Sequence, residues 1–225
     1  MKNVYYISRL FEFLQQLAAN NNRQWFADNK SQYLELRQLW ENDIDRLIAY
    51  MSTWDSRLSH LSAKTTAYRI YRDIRFSPDK SPFKTHFGAA FSPYGKSTHR
   101  AALYLHMDNS PQSGIYGGLW CPDSSMLRKI RRAIIDNIEE FEDIVNSPDL
   151  ISTFPNWCGE SLKTVPKGYD RNHPLAHYIR LKDFARFAHI PRQQFLDPDW
   201  PEIIAEKFSK IAPLIEFLNY SISEE

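Results

Sequence analysis

The chain has 225 residues, 43% of them hydrophobic and 14% aromatic, and its 28 basic and 27 acidic side chains leave a formal net charge of +1. That composition supplies a packed core and excludes a disordered chain, and the length is expected to fold as a single domain over residues 1–225. A near-neutral total gives no global attraction to nucleic acid or to an anionic membrane, so neither is expected as a partner.

The two cysteines, Cys121 and Cys158, have neither CxxC nor metal-type spacing, which points to a reducing compartment. The first nine residues hold no continuous apolar run, and nowhere do roughly 18–20 apolar residues follow one another as a membrane span needs. A soluble, cytoplasmic protein is expected.

Ser8 is placed to cap a first helix carrying Leu10, Phe11, Leu14 and Leu17, which Asn20, Asn21 and Asn22 end. Phe26, Tyr33, Leu36, Trp40, Ile44, Leu47, Met51 and Trp54 recur mostly at three-to-four spacing and predict one long helix lying on a core. Residues 65–76 are rich in Thr, Tyr and Ile and read as a strand, and residues 86–91 as another. Residues 101–107 alternate, with Leu103, Leu105 and Met107 on one face and Ala102, Tyr104 and His106 on the other. A turn at 108–111 leads into a returning strand over 114–120, where Gly117-Gly118 predicts a bulge or the close approach of another group.

Asp123 or Ser124 then caps a helix with the stripe Leu127, Ile130, Ile134, Ile138 and Phe141. Residues 159–169 read as loop or short strand, and 174–180 as a short helix with Pro174 in its first turn. Residues 183–190 form the last predicted strand. Asp197 or Asp199 opens a C-terminal helix with Ile203, Ile204, Phe208 and Ile211, which Pro213 is expected to kink. Sequential strands flanked by helices, rather than alternating with them, predict an α+β fold: a mostly antiparallel sheet with helices packed against it.

Charge is unevenly spread. Lys64, Arg69, Arg72, Arg75, Lys80, Lys84, Lys96 and Arg100 face only Asp73 and Asp79 in the same stretch, while acidic residues gather from Asp136 to Asp149. A local positive field of this kind attracts an anion. The densest piece is residues 71–84. On a ligand reading Arg72, Arg75, Lys80 and Lys84 hold an anion, Asp73 orients the arginines, and Ser77 with the backbone N–H groups of its turn completes the cradle. On a structural reading Asp73 pairs with an arginine while Ser77 and Asp79 fix the turn. Both stay open at this point. Arg131 sits on an apolar stripe and needs a partner there; a carboxylate such as Asp73, an anionic ligand, or an escape of the guanidinium to water would each supply it.

His106, beside Tyr104 on a sheet face, and His173 are the candidates for proton transfer. His173 and His177 are four apart, but Pro174 follows His173 directly and no HExxH pattern forms, so no metal is expected. The sequence has no GxxxxGK[ST], no GxGxxG and no GxSxG, and so points to no cofactor.

Four blocks of the sequence resemble a largely bacterial family designated domain of unknown function 2461. They are Asn21-Asn22-Arg23-Gln24-Trp25-Phe26 with Lys30 and Tyr33; Arg72-Asp73-Ile74-Arg75-Phe76-Ser77 with Asp79-Lys80, Pro82 and Lys84; Gly117-Gly118-Leu119-Trp120 with Pro122, Leu127 and Arg131; and Leu162-Lys163 with Pro166, Gly168-Tyr169, His173-Pro174 and Arg180. The second block is the most specific. Phe83 departs from the tyrosine expected of the family at that position. The resemblance implies no activity, cofactor or site residue. Function therefore rests on the basic cluster: binding of, or action on, an anionic small molecule, phosphate-bearing compounds included. The alternative is a non-enzymatic module that meets protein or nucleic acid through the strip from Lys64 to Arg100, interleaved with Tyr68, Tyr71, Phe76 and Phe83.

Overall fold

The computed structural model describes residues 5–96 and 99–223. Asparagines divide the N-terminal helices. α1 (Ile7–Ala19) buries Ile7, Leu10, Phe11, Phe13, Leu14 and Leu17 along one stripe and ends at Asn20. Ser8 lies inside this helix; the residue at its cap is Tyr6. Asn22 caps α2 (Arg23–Asp28), its side-chain oxygen accepting the Trp25 N–H at 2.9 Å. α3 (Lys30–Met51) follows and buries Leu36, Trp40, Ile44, Leu47, Ile48 and Met51. The single long helix expected from Phe26 to Trp54 is thus two helices parted at Asn29, which donates its side-chain amide to the Trp25 carbonyl at 2.8 Å, and Trp54 lies beyond the second.

Residues 65–76 do not form the expected strand. α4 (Ala63–Thr66) takes the first of them, capped by the reciprocal bonds of Ser62 and Thr65, with the Thr65 and Thr66 hydroxyls both donating to the Ser62 carbonyl. Such local side-chain bonds compete with a β ladder, and here they win over threonine's preference for strands. Beyond Thr66 the described backbone makes isolated bridges, Ala67 with Ala89 and Tyr71 with Phe83. A turn in which Asp73 accepts the Arg75 N–H interrupts any longer ladder.

Among the described residues five strands form one antiparallel sheet: β1 (Phe87–Phe91), β2 (Ala102–Met107), β3 (Gly114–Leu119), β4 (Asn156–Trp157) and β5 (Phe184–His189), in the order β1-β2-β3-β5-β4. β1 is buried at every position. β2 keeps the alternation read from sequence, with Leu103, Leu105 and Met107 buried and Ala102, Tyr104 and His106 half-buried. β4 pairs with β5 through Asn156 opposite Phe187 and Trp157 opposite Arg186. The later helices are α5 (Ser124–Asp136), α6 (Ile138–Val145), α7 (Pro148–Thr153), α8 (Ala176–Ile179), α9 (Arg192–Phe195), α10 (Trp200–Ser209) and α11 (Ala212–Ser223). The fold is the α+β arrangement expected.

Three helical expectations change. The stripe from Leu127 to Phe141 spans two helices broken at Asn137. Pro174 precedes α8 instead of entering it. Pro213 sits in the first turn of a new helix, where its missing N–H costs nothing, so it starts α11 where a kink in one longer helix was expected.

The chain divides into two compact units. The first comprises Met1–Lys96, Tyr104–Ile115 and His189–Glu206. Within it α1, α2 and α4 pack on α3, and α4 on β1. The Trp40 indole donates to the Met107 sulfur at 3.0 Å. Asp43, buried on α3, accepts the phenols of Tyr5 at 2.7 Å and Tyr6 at 2.8 Å and an Arg46 N–H at 2.8 Å, so its charge is compensated inside the core. The second unit comprises Ser97–Leu103, Tyr116–Ala188 and Lys207–Glu225. There α11 packs on α5 and α6, and the buried amide of Asn219 bonds both the N–H and the carbonyl of Ala101, at 2.9 and 3.1 Å.

Candidate functional site

The loop after Ile70 satisfies most of its own charge. Arg72 binds the Asp79 carboxylate, the Ser81 carbonyl at 3.2 Å and the Ser77 hydroxyl at 3.3 Å. Hydrogen bonds from the Ser81 backbone and side chain, and then from Arg72, hold the Asp79 carboxyl down at about 2. Arg75 grips Asp73 through two N–H groups, at 3.0 and 2.6 Å, and both side chains are exposed. Lys80 donates to the Ile74 carbonyl at 3.0 Å. Arg72, Ser77, Asp79 and Lys80 thus brace one turn, and the exposed Asp73–Arg75 pair, screened by water, contributes little.

Lys84 has different neighbours. Its ammonium stands 5.0 Å from the centre of the Tyr68 ring, and that of Lys96 stands 5.5 Å from the same ring. Lys96 also donates to the Ala67 carbonyl at 2.8 Å. Both lysines are half-buried. Burial pulls the Lys84 pKa down, and the positive charges of Arg69, Lys96 and Arg37 pull it further. Arg37 has its own partner in Glu41, at 2.6 Å. Among the described residues no carboxylate pairs with Lys84 or Lys96.

The Tyr68 ring lies 6.1 Å from that of Tyr104, and Tyr104 begins a chain of polar side chains along β2. The Tyr104 hydroxyl is 3.2 Å from His106 Nδ1, and His106 Nε2 is 3.2 Å from Asp108 Oδ2. Asp108 also accepts the Ser110 hydroxyl and N–H, each at 2.9 Å. Burial raises the Asp108 pKa, but the bonds from His106 and Ser110 outweigh it and leave the carboxyl below its ordinary value, so it is ionised. An ionised carboxylate at Nε2 places the imidazole proton there and leaves Nδ1 to accept the phenol of Tyr104. The His86 ring packs on His106 at 4.1 Å. Burial, then His106 and Lys84, press His86 down to about 4, so it is neutral at pH 7. Room for Tyr104 comes from Gly88: a Cβ there would lie 2.5 Å from the tyrosine oxygen. The arrangement can hold an anion at the lysines and move a proton through His106.

The sequence reading singled out Lys84 and His106 but missed Tyr68, His86, Lys96 and Asp108 as their companions. One signal was available. Tyr104, His106 and Asp108 recur at a spacing of two, which puts all three on one side of an extended chain.

Arg131 belongs to the second unit and is 6% exposed. Its Nε donates to the Ile179 carbonyl at 2.8 Å and its Nη2 to the Leu181 carbonyl at 3.0 Å. These are carbonyls left over at and just past the end of α8. Asp73 is taken by Arg75, so backbone oxygens are the partners that Arg131 has here. Arg131→Met is expected to lower stability by about 2 kcal/mol, because two buried acceptors lose their donors while relief of the buried charge offsets part of the cost. Urea unfolding measures it, and an unchanged midpoint would refute this bracing role. His173 lies in a loop of the same unit, where its Nδ1 accepts the Leu175 N–H at 3.1 Å. His177 packs on Tyr178 at 3.9 Å. Among the described residues no group of three His, Cys, Asp or Glu side chains is placed to hold a metal ion.

The chain is therefore an α+β protein with a tyrosine–histidine–aspartate row running off the end of β2 into the following turn, and two lysines gathered on one tyrosine ring near it. Residues 9–217 match the family described as conserved hypothetical protein (DUF2461), and the chain belongs to that family. No curated protein and no solved structure matches it. No helix among the described residues is long and apolar enough to cross a membrane.

Proposed function

We propose that the protein binds an anionic small molecule, phosphate- or carboxylate-bearing, at Lys84 and Lys96, with His106 as the group that exchanges a proton with it. The observation that supports this reading is two half-buried ammoniums over one tyrosine ring with no carboxylate partner among the described residues. Like charges held this way are unfavourable until an anion joins them, and then become charge-assisted donors. Asp108 and Tyr104 fix the orientation and tautomer of His106, as an acid–base group requires.

Inorganic phosphate is the first probe. At a concentration 100 times its Kd, phosphate should stabilise the chain by about 2.7 kcal/mol, read as a rise in Tm. Lys84→Met and Lys96→Met should each abolish most of that rise. Lys80→Ala should leave it intact, since Lys80 only braces the neighbouring turn. No rise in the wild type at any phosphate concentration, or a rise equal in all four proteins, would end the proposal.

A second reading, a module that meets nucleic acid, has Phe76 in its favour. This ring is 93% exposed with the Arg75 guanidinium 5.8 Å from its centre, an aromatic and a cation offered together to solvent. Its mark would be oligonucleotide binding that weakens steeply with salt and is lost in Phe76→Ala.

A further inference from the structure

A cleft of about 450 Å³ opens in the first unit, and it shares no lining residue with the polar row that starts on β2. Its wall includes Phe26, Tyr71 and Phe83. Phe26 and Phe83 are buried and stacked on each other at 4.0 Å, with planes 17° apart. Tyr71 meets Phe26 edge-on at 5.8 Å and Phe83 at 5.3 Å, and is 48% exposed. The two buried rings fix one another, so the wall exists before any ligand arrives.

The charged side chains that line the cleft are all of one sign: Arg23, Lys30 and Arg72 line it, and among the described residues no carboxylate does. Asp79 neutralises Arg72. Arg23 and Lys30 form no ion pair among the described residues. The result is a largely apolar, aromatic slot with two uncompensated cations. Its volume falls in the range of roughly 300–1,000 Å³ typical of small-molecule sites.

We infer that this cleft is a second ligand site, separate from the one at Lys84, and that it takes a small aromatic anion: a flat ring against the Phe26–Tyr71–Phe83 wall and a phosphate or carboxylate at Arg23 and Lys30. Two requirements follow from the lining. The ring needs the aromatic wall, and the anion needs the cations. Neither inorganic phosphate nor a neutral ring satisfies both. Arg72 acts here as a fixed part of the wall, since its guanidinium is held by Asp79, Ser77 and Ser81.

Calorimetric titration of the full chain with phenyl phosphate, cyclohexyl phosphate and inorganic phosphate tests this. Phenyl phosphate is expected to bind about tenfold or more tightly than either comparison compound, the size of one good stacking contact. Ala27→Trp fills the cleft from an exposed helix position that lines it, and leaves every charge in place. It should abolish the affinity for phenyl phosphate in excess of that for inorganic phosphate. The double variant Arg23→Ala/Lys30→Ala should weaken this ring-dependent binding about tenfold or more through loss of charged donors. Lys84→Met removes phosphate binding at the lysines and should keep the ring-dependent binding. Phenyl phosphate that binds no better than inorganic phosphate overturns the inference, as does ring-dependent binding kept in Ala27→Trp. Binding lost in Lys84→Met and kept in Ala27→Trp would assign the ligand to the lysine cluster. That outcome refutes the second site while sparing the first.

Discussion

Gly118→Ala is expected to cost more than about 4 kcal/mol and to leave little soluble protein, because it combines backbone strain with an overlap that nothing can relieve. Gly118 has φ +134°, a conformation that side chains rarely adopt. A Cβ there would lie 2.1 Å from the Phe184 carbonyl oxygen and 2.5 Å from the Ala185 Cα. Both are backbone atoms of β5, the neighbour of β3 in the sheet, so the strands would have to separate. Gly117→Ala is the control. The three heavy atoms nearest its Cβ all belong to the Ile211 side chain, the first at 2.8 Å. A side chain can turn away, and the loss should be about 1–2 kcal/mol. Soluble yield and urea unfolding of the two variants decide the matter, and a wild-type midpoint in Gly118→Ala would show that β3 and β5 do not run this close.

Those two glycines also show what the sequence makes legible. A glycine pair inside a strand pattern has few explanations, and close approach of another group is the one found. The alternation of residues 101–107 was equally plain, because each apolar side chain on one face of a strand must find the core. The breaks at Asn29 and Asn137 were not legible. Apolar spacing carries straight across them, and the helix ends are decided by bonds from asparagine side chains to the preceding turn. The strand expected over residues 65–76 failed for a related reason. Composition reports what threonine favours on average, whereas Thr65 and Thr66 here spend their hydroxyls on the Ser62 carbonyl.

The candidate site divides in the same way. Basic density along the chain singles out residues 71–84, yet proximity in sequence does not mean one shared task. Arg72 and Lys80 brace a turn, Asp73 and Arg75 hold one another, and Lys84 stands at the Tyr68 ring with Lys96. Which cations lack a carboxylate is set by contacts between distant segments, and charge counting along a chain cannot supply it. Tyr104 and His106 were legible on one face of a strand, and Asp108 was read only as the start of the turn after it; His86 was not legible, since only the pairing of β1 with β2 brings its segment to them.

His86 makes the chain lose stability on mild acidification, by up to about 3 kcal/mol between pH 6.5 and 4. The sign follows from proton binding. The unfolded chain protonates this imidazole near its ordinary 6.5, whereas the folded chain resists until about 4. Between those values the unfolded state binds more protons, so stability rises with pH and falls as pH drops through the window. Carboxylates held low, Asp79 at about 2 among them, begin to act only below about pH 5, at the acid end of the window. His86→Phe keeps a ring against His106 and cannot titrate. Its unfolding free energy should stay nearly level from pH 6.5 to about 5 and fall only below that, and a wild-type slope between pH 6.5 and 5 in this variant would remove His86 as the cause. The same titration bears on the lysines. Lys84 is one of the charges pressing His86 down. A phosphate bound at Lys84 cancels that push, so the wild-type slope should become shallower in phosphate, while the slope of Lys84→Met, shallower from the start, should not respond to phosphate. Burial remains the larger cause, so the slope should shrink without vanishing.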